Sequence, residues 1–237
     1  MIKFFIKKNF SYLYVTSSFL YQKLYSLRLK LFRGNKKEIF INIYKKNKWK
    51  ANESRSGTGS NLKQTKKIRE DLPHLFKKLK INSIIDCPCG DFFWIREIGL
   101  ENYNYKGYDI VPEIIESNKK KYGKENISFE VLDITKEILE KVDLILMRDL
   151  LVHFSNQDIY KTLINLKKSN SRFLLTTNFS KIKSNYDITT GQWRPINLLL
   201  PPFNFPEPKI IIHEFNTEYN DEKLKSKNLS LWEITNL

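Results

Sequence analysis

Three carboxylates stand where apolar runs of the sequence end. Asp86, Asp109 and Asp133 follow runs that begin at Ser83, Tyr103 and Ile127. Short runs rich in β-branched and aromatic residues, separated by helical patterns, predict strands of a parallel α/β sheet. Because the carboxyl ends of parallel strands meet at one edge of a sheet, we expect these three acids to surround one ligand.

The turn after the first run favours one kind of nucleotide ligand. It reads Asp86-Cys87-Pro88-Cys89-Gly90-Asp91 and contains a single glycine. A dinucleotide site normally has three glycines, which let the backbone approach a pyrophosphate. Two carboxylates would repel a pyrophosphate and would suit a ligand that carries an ammonium and a sulfonium, such as S-adenosylmethionine. Asp109 is placed to accept ribose hydroxyls, as in any Rossmann-like site.

The same turn resembles the first motif of class I S-adenosylmethionine-dependent methyltransferases, in the bacterial variant with proline at the first glycine position. The resemblance covers roughly residues 49 to 235. It implies a Rossmann-like, seven-stranded, mostly parallel sheet with helices on both faces and a final antiparallel pair of strands. It also implies that Asp133 faces the adenine amino group and that Ile134 packs on the adenine ring.

A loop rich in glycine and hydroxyl residues, residues 53–60, precedes the first strand. It resembles the family's segment that folds over the methionine end of the cofactor, where Arg55 would pair with the carboxylate. A purely structural helix cap is the open alternative for this loop, and core packing is the alternative for Trp94. The predicted cofactor-binding residues are Arg55, Asp86, Cys87, Gly90, Asp91, Trp94, Asp109, Ile110, Asp133, Ile134 and Arg148.

The fourth predicted strand covers residues 142–147. The segment that follows it carries the candidate catalytic residues Asp149 and His153. Their spacing of four would place them on one helical face, and a histidine oriented by an acid is a plausible general base. The segment resembles the family's fourth motif, whose residues line the transferred methyl group. The alternative is structural: Asp149 fixes the turn and His153 packs beneath the cofactor.

A long loop from residue 179 to residue 208 is the part of the chain predicted to contact the substrate. Its proline density excludes regular structure near its end, and long loops of this kind are usually functional. Trp193 and Arg194 are expected to stack on and hydrogen-bond a sugar or another polar acceptor. A proline-rich cover over the sheet edge is the alternative.

The charge of the chain is concentrated in its first third. Of the net charge of +15, residues 1–80 contribute +17, and residues 81–237 are close to neutral. We therefore divide the chain into a basic, aromatic helical extension at residues 1–48 and a methyltransferase domain at residues 49–237. Such an extension is typical of contact with a membrane surface, a nucleic acid or a charged glycan, although compositional drift explains it equally well. Residues 34–52 suit a linker or a cap helix.

The sequence as a whole predicts methyl transfer from S-adenosylmethionine, most simply to a hydroxyl of a small molecule or surface glycan. Methylation of RNA through the basic region, and a non-catalytic cofactor-binding scaffold, are the alternatives. Two cysteines, Cys87 and Cys89, in one turn favour a reduced, cytoplasmic protein, with peripheral membrane association left open. No metal is predicted, because no histidine or cysteine partners follow at metal-ligand spacing.

Overall fold

The computed structural model describes residues 35–49, 52–214 and 221–237 of the 237-residue chain. The fold described below is that of the compact unit Lys36–Leu237. Residues 1–34 of the predicted helical extension, which covers residues 1–48, lie outside the described residues. In the described part of the chain, every helix is too short or too polar to cross a membrane.

A seven-stranded sheet in the order β3-β2-β1-β4-β5-β7-β6 forms the centre of this unit. The first five strands are parallel to one another, and β7 runs antiparallel between β5 and β6. The predicted Rossmann-like, mostly parallel sheet is confirmed. The strands are β1 Ser83–Asp86, β2 Asn104–Asp109, β3 Ile127–Val131, β4 Leu144–Met147, β5 Phe173–Phe179, β6 Ile210–His213 and β7 Lys227–Glu233.

Four α-helices accompany the sheet in the described residues: α1 Lys36–Lys45, α2 Lys66–Leu79, α3 Pro112–Tyr122 and α4 Asn156–Lys168. Pro112 opens α3 at a position where its missing N–H costs nothing. Ser155 caps α4, because its side chain accepts a hydrogen bond from the backbone of Asp158. The sequence pattern of residues 62–79 predicts a helix that is broken near Pro73, and this prediction was wrong, since α2 continues through the proline. Its apolar face is buried, and this packing outweighs the missing backbone bond.

Two hydrophobic clusters form the core, and they place α1 with the catalytic unit. One cluster contains Ile84, Leu144 and the apolar face of α2. The other contains Ile85 and Ile145, together with Phe40 and Ile43 of α1. Because α1 is buried in the same core as the strands, the unit begins at Lys36 rather than at the predicted residue 49.

Candidate functional site

A deep cleft, here called the first cleft, lies at the carboxyl edge of the parallel strands. It encloses about 1010 Å³ of empty space, counting its open mouth. Concave clefts that combine apolar side chains with a few polar groups are the usual binding sites of small ligands. Most of the predicted site residues line it: Asp86, Cys87, Gly90, Asp91, Trp94, Asp109, Ile110, Asp133, Ile134, Arg148, Asp149 and His153.

Asp86 ends β1 at the floor of the first cleft. Its carboxylate is 2% exposed and accepts a hydrogen bond of 2.7 Å from the Tyr105 hydroxyl. Burial raises the pKa of Asp86 to about 7, and the hydrogen bond only partly opposes this effect. Among the described residues, none forms an ion pair with this carboxylate. A ligand cation beside it would therefore lower the free energy of its charged form.

Asp109 ends β2 and is also buried. Its two oxygens accept backbone hydrogen bonds from Gly90, at 3.2 Å, and Val111, at 2.9 Å. Burial raises the pKa of Asp109 to about 6, despite these backbone bonds. The remaining lone pairs of a carboxylate held in this way can accept two neighbouring hydroxyl groups, as a ribose presents them.

Asp91 holds loop 53–60 against the turn after β1. Its carboxylate accepts hydrogen bonds from the Ser54 hydroxyl at 2.9 Å, the Ser56 hydroxyl at 3.1 Å and the Arg55 backbone at 2.9 Å. Ser56 approaches so closely that a Cβ on Gly90 would lie 2.1 Å from its hydroxyl oxygen, so only glycine fits there. Asp91 therefore fixes the position of loop 53–60, in addition to lining the first cleft.

The Arg55 side chain does not reach either cleft described here. It is exposed, and its guanidinium lies over the ring of Tyr44, 5.3 Å from the centroid. The predicted pairing of Arg55 with a cofactor carboxylate is therefore not supported by its position. The backbone of Arg55, and not its charge, attaches loop 53–60 to Asp91.

Asp133 and Ile134 follow β3 and line the first cleft, as predicted. One oxygen of Asp133 caps the following turn, accepting from the backbone of Thr135 at 3.1 Å and its hydroxyl at 2.7 Å. Ile134 is buried and forms an apolar wall together with Ile110 and Leu132. This half of the first cleft is suited to a flat apolar ring with a polar edge.

Arg148 and Asp149, after β4, belong to a buried group of four charges that we call the charge ring. Arg148 lies 2.6 Å from Glu214 and 3.2 Å from Asp149, and Lys227 lies 2.7 Å from Asp149 and 3.3 Å from Glu214. Burial opposes the charge on Asp149, but Lys227 and Arg148 outweigh it and hold its pKa well below the usual range. Two cations and two anions leave the ring formally neutral.

The charge ring also connects separate parts of the site. Arg148 donates a hydrogen bond of 2.8 Å to the carbonyl of Gly59, and its guanidinium lies over the ring of Trp94. Since its donors are used within the protein, Arg148 positions loop 53–60 and Asp149. Asp149 itself adopts a left-handed φ of 59°, which is uncommon outside glycine and is held by its bonds to Thr177.

A second cleft opens beside the first and shares with it Trp49, Ser56, Asp149 and His153. Its other lining residues are Gly57, Thr58, Gly59, Phe179, Trp193 and Lys227. Trp193 is 38% exposed, and its ring meets Phe179 edge to face. The second cleft thus combines aromatic rings with small and hydroxyl-bearing residues, which suits a polar ring compound.

His153 lies at the junction of the two clefts. Its Nδ1 is 2.9 Å from the carbonyl oxygen of Gln192, which can only accept, so Nδ1 carries the proton and Nε2 has a free lone pair. Burial lowers the pKa of His153 below its ordinary value of 6.5, so the ring is neutral at pH 7. The predicted orienting group was wrong: the Gln192 carbonyl, rather than Asp149, bonds the ring.

Arg194 is not a substrate contact, contrary to the sequence prediction. It is fully buried, and its guanidinium donates to the carbonyls of Tyr186 and Leu151 and to the Asn156 side chain. These bonds attach the loop that carries Gln192 and Trp193 to the end of β4. The neighbouring Trp193 differs, because its side chain is partly exposed and lines the second cleft.

Several site residues were not predicted from the sequence. Glu214 and Lys227, which complete the charge ring, lie at the ends of β6 and β7, far along the chain from Arg148. No local motif marks them, and only the antiparallel pairing of β6 with β7 brings them together. Ser54 and Ser56 lie in a loop that the sequence analysis identified by its composition, but their hydrogen bonds to Asp91 were not predicted.

The chain was compared with known families and structures. A family described as a methyltransferase domain matches residues 78–199, just over half of the chain. Human N-acetylserotonin methyltransferase, solved with S-adenosylmethionine, aligns with a TM-score of 0.55 and 13% identity over 86% of this chain and 61% of that one. Among curated proteins, none matches.

Two further solved structures align less completely. TehB from Haemophilus influenzae gives a TM-score of 0.48 and 16% identity, over 68% of this chain and 60% of that one. Magnesium protoporphyrin IX methyltransferase from Synechocystis, solved with the demethylated cofactor, gives a TM-score of 0.40 and 14% identity. That alignment covers 51% of this chain and 59% of the other. The chain therefore spans about 60% of the length of these structures.

Proposed function

Because this chain belongs to the methyltransferase domain family, we propose that it transfers the methyl group of S-adenosylmethionine to a hydroxyl group of a small molecule or glycan. The observation that carries the proposal is the meeting of two clefts at one neutral histidine. The first cleft would hold the cofactor and the second would hold the acceptor, so that the methyl group passes between them at His153.

The first cleft fits S-adenosylmethionine by its charges. Asp86 and Asp109 are buried carboxylates that have no ion-pair partner among the described residues. A ligand with an ammonium and a sulfonium supplies the missing positive charge, and its ribose supplies hydroxyl donors for Asp109. Asp133 and Ile134 would then bind the adenine edge and ring. A pyrophosphate would instead add negative charge beside two carboxylates.

The protein has little bond chemistry to perform in this reaction. S-adenosylmethionine supplies a methyl group that its sulfonium already activates. The clefts align the acceptor with that methyl group and exclude water, an effect worth on the order of 7–11 kcal/mol at best. The acceptor hydroxyl loses its proton to Nε2 of His153, whose other nitrogen is held by Gln192. The oxygen–methyl bond forms as the carbon–sulfur bond breaks, and the demethylated cofactor leaves.

The second cleft favours an uncharged acceptor over RNA. Lys227 is the cation that lines it, and both Asp149 and Glu214 neutralise that cation. Phosphate recognition depends on cations that are free to pair with the backbone of the nucleic acid. A neutral hydroxylated ring requires none, and Trp193 offers it a face on which to stack. The RNA alternative rests on the basic residues 1–80, of which residues 1–34 and 50–51 lie outside the described structure, and is kept as an outcome of the test.

The proposal is tested with methyl-labelled S-adenosylmethionine and the full chain. The acceptors are a set of neutral glycosides and other hydroxylated small molecules, and a structured RNA is assayed in parallel. Label in the hydroxylated compounds, abolished in H153A, is the expected result. Transfer to RNA alone would contradict the assigned acceptor, and cofactor binding without transfer to any compound would favour a non-catalytic scaffold.

A further inference from the structure

Helix α1 spans the carboxyl edge of the sheet although it lies before the part of the chain that matches the methyltransferase family. At its start, Lys36 pairs with Asp158 of α4 at 3.0 Å, and at its end Lys45 pairs with Glu113 of α3 at 2.8 Å. Helix α3 follows β2, and α4 follows β4, so the two ends of α1 are fixed on opposite sides of β1. The first cleft opens at the end of β1, between these two attachments.

One side of α1 faces the apolar half of the first cleft. Phe40 and Tyr44, one helical turn apart, line the cleft together with Ile110, Val111, Ile114, Leu132 and Ile134. Phe40 is also packed against Phe154 in the core. Tyr44 is only partly buried, and the guanidinium of Arg55 lies over its ring. The aromatic pair therefore completes a wall whose remaining members are aliphatic.

We propose that α1 is part of the cofactor site, with Phe40 and Tyr44 packing against the adenosine moiety and the two ion pairs holding the helix in place. This inference rests on the proposed function, since it takes the ligand of the first cleft to be S-adenosylmethionine. An aromatic side chain on an apolar wall stabilises a flat heterocycle by offset or edge-to-face contact. Arg55 contributes through its stacking on Tyr44, which limits the motion of that ring.

The alternative is that α1 only covers the hydrophobic core. The two roles differ at Tyr44, because Phe40 and Ile43 already supply the buried contacts of the helix and Tyr44 lies at the cleft. A cover for the core would make Tyr44 dispensable for ligand binding. A wall of the cofactor site would make its ring necessary while leaving the folded state largely unaffected.

The test is calorimetric titration of the full chain with S-adenosylhomocysteine. We expect Y44A to bind about two- to tenfold more weakly than wild type, the usual worth of one aromatic contact. Y44L, which keeps an apolar side chain, should lose affinity too, and it covers the case in which Y44A folds poorly. Y160A is the control, because Tyr160 is a helical tyrosine, more exposed than Tyr44, that lines neither cleft.

The ion pairs are tested in the same titration. K36M should weaken binding at least twofold, because the Lys36–Asp158 pair is shielded from solvent, with side chains 17% and 11% exposed. K37M, at the exposed neighbouring position, should bind as wild type does. Unchanged affinity in Y44A, Y44L and K36M would overturn the inference. Failure of the wild-type protein to bind the ligand would instead overturn the proposed function.

Discussion

The two clefts share lining residues but differ in whether their buried charges form ion pairs within the protein. In the first cleft, the carboxylates of Asp86 and Asp109 are buried without an ion pair among the described residues, and the charge of Arg148 offsets the burial of Asp86 only in part. In the second cleft, the charges of Asp149 and Lys227 are closed into the neutral charge ring. An uncompensated buried charge indicates that a ligand of opposite sign binds there, whereas a compensated one fixes the position of the groups that carry it.

The largest effect on turnover is expected from His153, which lies at the junction of the two clefts. H153A should lower turnover by about 10²- to 10⁴-fold, the usual contribution of a general base, with little effect on cofactor affinity. Turnover of the wild type should fall only as the pH drops through a pKa below 6.5, because the histidine must be neutral. Measurements of turnover against pH and of cofactor binding check both statements, and unchanged turnover would contradict the role of His153 as base.

The stability of the protein should depend on the net charge of the charge ring more than on the presence of any one of its residues. E214Q and K227M each leave the ring with one excess charge, and breaking a buried ion pair typically costs about 3–5 kcal/mol of stability. The double variant restores neutrality, so its free energy of unfolding should lie above that of the less stable single variant. Denaturant unfolding of the four proteins gives the coupling energy, and strictly additive losses would show that the four charges do not act as a ring.

The first cleft should depend on Asp109 for binding and not for folding. D109A removes the acceptor for two ligand hydroxyls, and we expect at least about a hundredfold loss of cofactor affinity, since each hydrogen bond to a charged group is worth about 1.5–3 kcal/mol. The thermal midpoint of the ligand-free protein should change little, because removal of a buried carboxylate offsets the loss of its hydrogen bonds from the backbone of Gly90 and Val111. Wild-type affinity in D109A would disprove the assignment.

In the ligand-free protein, protonation of Asp86 in the first cleft should make stability depend on pH. The pKa of Asp86 is raised from 3.8 to about 7 by burial, so its stabilising contribution is present below pH 3.8 and is lost as the pH rises to about 7. D86N should therefore be more stable than wild type at pH 8, by roughly 1–3 kcal/mol, with a smaller difference at pH 5. Thermal unfolding at the two pH values checks this, and a larger advantage at pH 5 would contradict it.

The smallest effect should come from the second cleft, where neighbouring residues differ in role. W193A should raise KM for the acceptor about two- to tenfold, the worth of one stacking contact, and leave the fold intact. R194A should instead lower stability, because it removes three bonds within the protein. Acceptor kinetics and thermal unfolding of both variants distinguish the roles, and the reverse pattern would contradict them.

The sequence predicts the first cleft better than the second for a physical reason. Asp86, Asp109 and Asp133 each follow a strand that is read from a local pattern, and parallel strands bring their ends together. Glu214 and Lys227 meet Arg148 only through an antiparallel pairing of distant segments, which local patterns do not encode. Arg194 was misassigned because its side chain type suits a ligand and an internal carbonyl cluster equally well.

Two other differences also have physical causes. The boundary predicted before residue 49 assigned α1 to the extension, because its apolar residues stand in a lysine-rich stretch that suits a linker as well as a cap helix. Its burial becomes evident only from the core that it joins. The break predicted at Pro73 gave too much weight to local propensity, which tertiary packing of α2 overrides.

Calorimetric titration of the full chain with S-adenosylmethionine, and separately with NAD, tests the central claim most directly. The uncompensated carboxylates of the first cleft predict micromolar binding of the cationic cofactor and no binding of the pyrophosphate-bearing one. Binding of NAD, or of neither ligand, would contradict the assignment of the first cleft.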